Sequence, residues 1–174
     1  LLTLKYIIVF VYLISSSSSY ATQQINIKNL VIHKNPKKLE KINFTNINNE
    51  KISLNNFKNS LVIINFWATW CAPCIEEMPS LDRLQANPIF KNLKVLPINV
   101  GRDNLEKSKK FYKKLKINNL DIYIDEGIEL ANKFLLRGLP TTVFINKEGK
   151  EFARVIGFID FDNKKIIKWL QNYD

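Results

Sequence analysis

The feature that most limits what this chain can fold into is Cys71-Ala72-Pro73-Cys74, set where an apolar run gives way to a helical pattern. Upstream, Leu61-Val62-Ile63-Ile64-Asn65-Phe66 is continuous and rich in β-branched residues, which suits a buried central strand. Downstream, Ile75, Met78, Leu81 and Leu84 recur at helical spacing. The pair holds the only two cysteines in the 174 residues. A strand-to-helix junction is also where α/β folds expose reactive groups. Three chemistries use a Cys-x-x-Cys pair: a redox couple, half of a metal site and covalent haem attachment.

The rest of the sequence separates these. A structural zinc site needs about four ligands, and the chain offers two cysteines and one histidine, His33, in a polar lead-in where it is expected to be solvated. Haem attachment needs a histidine directly after the second cysteine, and Ile75 stands there. A passive disulfide across so short a loop stabilises little by the chain-entropy account. The expectation is a redox couple, with no metal and no cofactor.

Position along the helix assigns the roles. Cys71 belongs at the helix start, where unpaired backbone N–H groups and the helix dipole stabilise a thiolate. Pro73 fits the first turn, where a missing N–H costs nothing. Cys74 falls one turn deeper on the same side, within reach of Cys71 but shielded. The expected cycle has Cys71 attack a substrate disulfide and Cys74 resolve the mixed disulfide. Resolution requires the buried Cys74 thiol, whose pKa burial raises, to lose its proton. Glu77, three residues on, faces the same side and is the candidate acceptor, while Glu76 points elsewhere.

The flanking sequence reads as delivery and scaffold. In residues 1–21, Lys5 precedes the apolar run Tyr6–Ile14, serines follow, and Ser19-Tyr20-Ala21 offers a cleavage site. This reads as an export signal, expected to be cleaved after Ala21 or retained as an anchor; the apolar run is short of the ~20 residues a spanning helix needs. Residues 22–40 read as a linker, with Pro36 interrupting regular structure, and residues 41–174 as one domain. Within that domain Lys41–Thr45 and Lys51–Leu54 suggest a hairpin. Strands follow at Lys94–Val100 and Leu120–Ile124, helices at Leu105–Lys116 and Glu126–Leu135, then a hairpin Thr141–Asn146 with Glu151–Ile156, and a closing helix Phe161–Gln171. The order implies an α/β fold with a mixed sheet and helices on both faces.

At Phe66-Trp67-Ala68-Thr69-Trp70-Cys71-Ala72-Pro73-Cys74-Ile75-Glu76-Glu77-Met78-Pro79 the chain resembles exported thioredoxin-like thiol–disulfide oxidoreductases, specifically the TlpA/ResA group of the AhpC/TSA–redoxin-like superfamily. Asn65 stands where general thioredoxins carry a buried Asp, and Glu77 matches the group's own acidic position. The resemblance implies a thioredoxin fold with an N-terminal β-hairpin and a helix–strand insertion matching Leu105–Ile124. It also implies a cis bond at Leu139-Pro140 beside the cysteines, where Leu139 and Pro140 would bind an extended substrate segment as an added strand. Trp70 is the expected rim contact and Trp67 a packing residue.

The implied activity is protein-disulfide reduction in the periplasm, with exported clients such as apocytochrome c or copper-assembly proteins. A membrane dithiol reductase would supply the electrons. The alternatives are a general periplasmic disulfide oxidase or isomerase, and a Cu(I)-binding chaperone. The charge of +10, from 26 Lys+Arg against 16 Asp+Glu, comes from lysines spread over solvated faces. No nucleic-acid motif accompanies it, so no nucleic-acid partner is expected.

Overall fold

The computed structural model describes residues 27–101 and 103–174, and the export segment read over residues 1–21 lies outside them. Among the described residues, eight strands and four α-helices run β1 Leu30–Lys38, β2 Asn43–Asn46, β3 Lys51–Ser53, β4 Leu61–Trp67, α1 Ala72–Gln85, β5 Leu93–Asn99, α2 Leu105–Leu115, β6 Tyr123–Ile124, α3 Glu129–Lys133, β7 Thr141–Ile145, β8 Lys150–Ile156 and α4 Lys164–Gln171. They form one sheet in the order β1-β8-β7-β4-β5-β6-β2-β3. Strand β4 lies at its centre, buried along its whole length, parallel to β5 and antiparallel to β7.

The alternation of β4 explains the two-sided core. Leu61, Ile63 and Trp67 join Met78, Leu81 and Leu84 of α1, Phe111 and Tyr112 of α2, and Ile166, Trp169 and Leu170 of α4 on one face. Val62, Ile64 and Phe66 meet Phe44, Leu54, Leu130 and Phe134 on the other, under α3 and the β2–β3 hairpin. A strand apolar at every position but Asn65 therefore has a packing partner on each side. Trp67 is fully buried, as expected of a packing residue. Among the described residues no helix is long and apolar enough to cross a membrane.

Several expected elements are trimmed for identifiable reasons. Asn163 caps α4 by accepting from the Lys165 N–H at 2.9 Å, so the helix begins after Phe161 and not at it. The helix expected over 126–135 is broken: Gly127 and Ile128 adopt positive φ, and α3 restarts where the Asp125 carboxylate accepts from Leu130 and Ala131 N–H, both at 3.0 Å. Only Tyr123 and Ile124 of the expected strand 120–124 find partners, on β5 and β2.

The largest difference lies in residues 27–40, the described part of the segment 22–40 expected to be a linker. Residues 30–38 form β1, which pairs antiparallel with β8. The register shifts between Ile32 and Lys37, and that irregularity accommodates Pro36 at a sheet edge. Sequence pattern did not mark this strand because ladder hydrogen bonds hold it more than apolar burial does; Val31 and Ile32 remain half exposed. His33, expected in solvent, is instead only 9% exposed, with its Nε2 2.7 Å from Oε1 of buried Glu151. Arg154 completes that cluster by donating to both Glu151 oxygens and to the Phe134 carbonyl.

Candidate active site

Strand β4 delivers the chain to the site and α1 carries it away. The turn between them is closed by the Cys71 N–H donating to the Ala68 carbonyl at 3.2 Å. Cys71 is then the N-cap of α1, with extended backbone and no side-chain hydrogen bond of its own, and Pro73 lies in the first turn. The first-turn N–H groups of α1 that follow Cys71 lack intrahelical partners. Cys71 and Cys74 form a disulfide with Cα atoms 5.2 Å apart. Cys74 is 1% exposed and Cys71 5% exposed, so the second cysteine is the better shielded, as its position on the helix implies.

Glu77 lies one turn beyond Cys74, 1% exposed, while Glu76 is exposed. The Asn65 side-chain amide donates to Glu77 Oε1 at 2.6 Å and also to the Thr142 hydroxyl at 3.0 Å. The Ile159 backbone N–H donates to Glu77 Oε2 at 2.6 Å. Burial pushes the Glu77 carboxyl from an ordinary 4.5 up to about 8, against the pull of those two donors. A buried acid poised near neutrality, one helical turn beyond a cysteine of the disulfide, is equipped to take up and release a proton.

The Leu139–Pro140 peptide bond is cis, as the resemblance implies. Its place follows from register: Thr141, the next residue, lies opposite Phe66 on β4, so Pro140 and the cysteine turn sit at the same end of the sheet. The Pro140 carbonyl accepts from the Gly157 N–H at 2.8 Å, and the Thr141 hydroxyl donates to the Gly138 carbonyl at 2.7 Å. Pro140 is buried and Leu139 half-buried. Trp70 is 68% exposed and its indole N–H reaches the Gly101 carbonyl at 3.4 Å, which leaves the ring on the surface next to Cys71.

Two supports of the site were not singled out from the sequence. One is the Ile159 N–H on Glu77. The other is the turn after β5, where Asp103 Oδ2 accepts from the Thr69 N–H at 3.0 Å and from Asn99 Nδ2 at 3.2 Å. Asn99 Oδ1 in turn accepts from the Gly101 N–H at 2.8 Å. Gly101 is confined: a Cβ there would stand 2.6 Å from Ala68 Cβ and 3.0 Å from both Asp103 Oδ2 and Trp70 Nε1. Gly101→Ala is therefore expected to displace the cysteine turn and to destabilise the fold by about 1–3 kcal/mol, read from the denaturant midpoint at unchanged slope. The only sequence signal for this support was an Asn-x-Gly-x-Asp run at a strand end, which is indistinguishable from an ordinary turn.

Known proteins share this architecture. A secreted thiol-disulfide isomerase from Corynebacterium glutamicum superposes with a TM-score of 0.70 at 22% identity, covering 85% of this chain and 93% of that one. The exposed lipoprotein thioredoxin from Streptococcus pneumoniae gives a TM-score of 0.65 at 26% identity, covering 76% of this chain and 99% of that one. The fold is thus of the thioredoxin type. A thiol-disulfide oxidoreductase ResA of Bacillus cereus is 34% identical over 113 residues, which span 65% of this chain and 64% of that protein. The match therefore covers a little under two thirds of that relative's length. The AhpC/TSA family model matches residues 36–150, from β1 through the cysteine turn to the start of β8, and the chain belongs to the AhpC/TSA family.

Proposed function

We propose that this protein is an exported thiol–disulfide oxidoreductase that reduces disulfides in client proteins through Cys71 and Cys74. The observation that carries the reading is the buried Glu77 carboxyl, raised to about 8 and one helical turn beyond the shielded Cys74. A structural disulfide has no use for a proton acceptor; a resolving thiol does. The name of the Bacillus relative supports the same reaction class.

In the first step the Cys71 thiolate attacks one sulfur of a client disulfide. An S–S bond forms between Cys71 and the client, and the other client sulfur leaves as a thiolate that takes a proton from water. In the second step Cys74 gives its proton to the ionised fraction of Glu77 and attacks the Cys71 sulfur. The Cys71–Cys74 bond forms and the second client thiolate leaves. Two electrons have passed from the pair to the client. A membrane dithiol reductase restores the dithiol.

Trp70 and the Leu139–Pro140 loop form the client-binding rim. An extended client segment aligns its backbone along Leu139 and places its disulfide over Cys71. The clients are exported assembly proteins, with the haem-site cysteines of apocytochrome c or copper-centre proteins as the two candidates. The test is reduction of a disulfide-bonded Cys-x-x-Cys-His peptide by the dithiol protein, followed by thiol release. Stoichiometric reduction that disappears in Cys71→Ser supports the reading. Tight Cu(I) binding with no thiol release would replace it with a copper chaperone.

A further inference from the structure

Asp103 is a buried charge that the cycle above does not use. It is 7% exposed, and its carboxylate reaches directly into the turn that presents Cys71. Oδ2 accepts from the backbone N–H of Thr69 at 3.0 Å and from Asn99 Nδ2 at 3.2 Å, while Oδ1 lies 3.8 Å from the exposed Lys107 ammonium. Burial alone would raise this carboxyl, but the Thr69 and Asn99 donors and the Lys107 charge outweigh it and hold it below its ordinary range. It is ionised wherever the cysteines react. Thr69 precedes Cys71 by two residues, so chain geometry keeps the carboxylate within about 12 Å of the Cys71 Cα.

Resting on the oxidoreductase reading, we infer that Asp103 is a positioning residue that also sets the reducing power of the Cys71–Cys74 pair. Two effects follow from one carboxylate. By fixing the Thr69 N–H it holds the turn whose closure points Cys71 at the helix start. By its charge it opposes the thiolate that the helix N-terminus stabilises. The thiolate belongs to the dithiol form alone, so a nearby negative charge disfavours that form relative to the disulfide. The pair then gives up its electrons more readily. Lys107 offsets part of this charge from solvent, where screening weakens it.

A unit charge at this separation changes such an equilibrium by roughly two- to tenfold at intermediate effective dielectric. Asp103→Asn keeps an oxygen that can accept from Thr69 and removes the charge. The variant is expected to lower the Cys71 thiol pKa, read from thiolate absorbance. It is also expected to shift the dithiol–disulfide equilibrium against glutathione toward the dithiol by up to about tenfold, which converts to about 30 mV. Asp103→Glu keeps the charge and is expected to restore most of the wild-type equilibrium. Lys107→Gln, at an exposed site that will not compromise folding, is expected to shift the equilibrium the opposite way by a smaller factor.

A purely structural Asp103 would lower the melting temperature and leave the equilibrium constant where it was. That result in Asp103→Asn, or a Lys107→Gln shift toward the dithiol, overturns the inference. The equilibrium is measured without any client. A wild-type pair that titrates normally but reduces no client would contradict the functional reading and leave the role of Asp103 standing.

Discussion

Cys74→Ser is expected to stop the cycle at its midpoint. Cys71 will still attack a client disulfide, since its activation comes from the α1 N-terminus and not from Cys74. Without the second thiol the Cys71–client bond has no internal attacker, because a serine hydroxyl does not displace sulfur. Turnover falls to a single event per molecule, and a covalent adduct accumulates that intact-mass analysis detects and dithiothreitol releases. Cys71→Ser is expected to form far less adduct, since Cys74 is the more deeply buried of the two, 1% exposed against 5%. Equal adduct formation by both variants would remove the distinction between attacking and resolving cysteine.

The second large effect is expected at Glu77. Its carboxyl titrates near 8 in the folded chain and near 4.5 unfolded. Below pH 4.5 both states bind the proton and the group contributes nothing differential. Between about 4.5 and 8 the unfolded chain has lost a proton that the folded chain keeps, so stability falls as pH rises, at about 1.4 kcal/mol per pH unit. Wild-type is thus expected to lose about 3–5 kcal/mol across this window from Glu77 alone, and Glu77→Gln to remove that part of the slope. Urea midpoints at pH 5 and pH 8 measure it.

In the reaction, the same substitution removes the acceptor for the Cys74 proton. Resolution of a preformed mixed disulfide is expected to slow on the order of a hundredfold at neutral pH, within the usual range for a positioned base. The wild-type rate should rise with pH and level off near 8, whereas the variant should keep rising toward the pKa of Cys74 itself. Parallel pH profiles would show that Glu77 is a buried acid with no part in the chemistry.

These two predictions rest on residues that were legible because they are local in the chain. Cys71, Cys74 and Glu77 follow one another at helical spacing, and the run Leu61–Phe66 announces the strand before them. What holds Glu77 from outside the helix was not legible. The Ile159 N–H arrives from 82 residues away, and Asp103 reaches Thr69 across 34. No local pattern in a single sequence shows which distant backbone N–H will face a given carboxylate. The same reason hid β1: His33 meets Glu151 across 118 residues, and a half-exposed edge strand leaves no alternating apolar pattern to read. Asn65 lies between these cases. The resemblance marked it as standing where general thioredoxins carry a buried Asp, but its bond to Glu77 emerges only when α1 packs on β4.

The measurement that bears most directly on the central claim is the reduction potential of the Cys71–Cys74 pair, from equilibration with defined glutathione or dithiothreitol ratios. A disulfide reductase must lie toward the thioredoxin end of the scale, at or below roughly −230 mV, so that electrons flow from it to client disulfides in an oxidising compartment. A value near about −120 mV, that of a strong periplasmic oxidant, would mean that the pair takes electrons from its clients, and would contradict the reductase account.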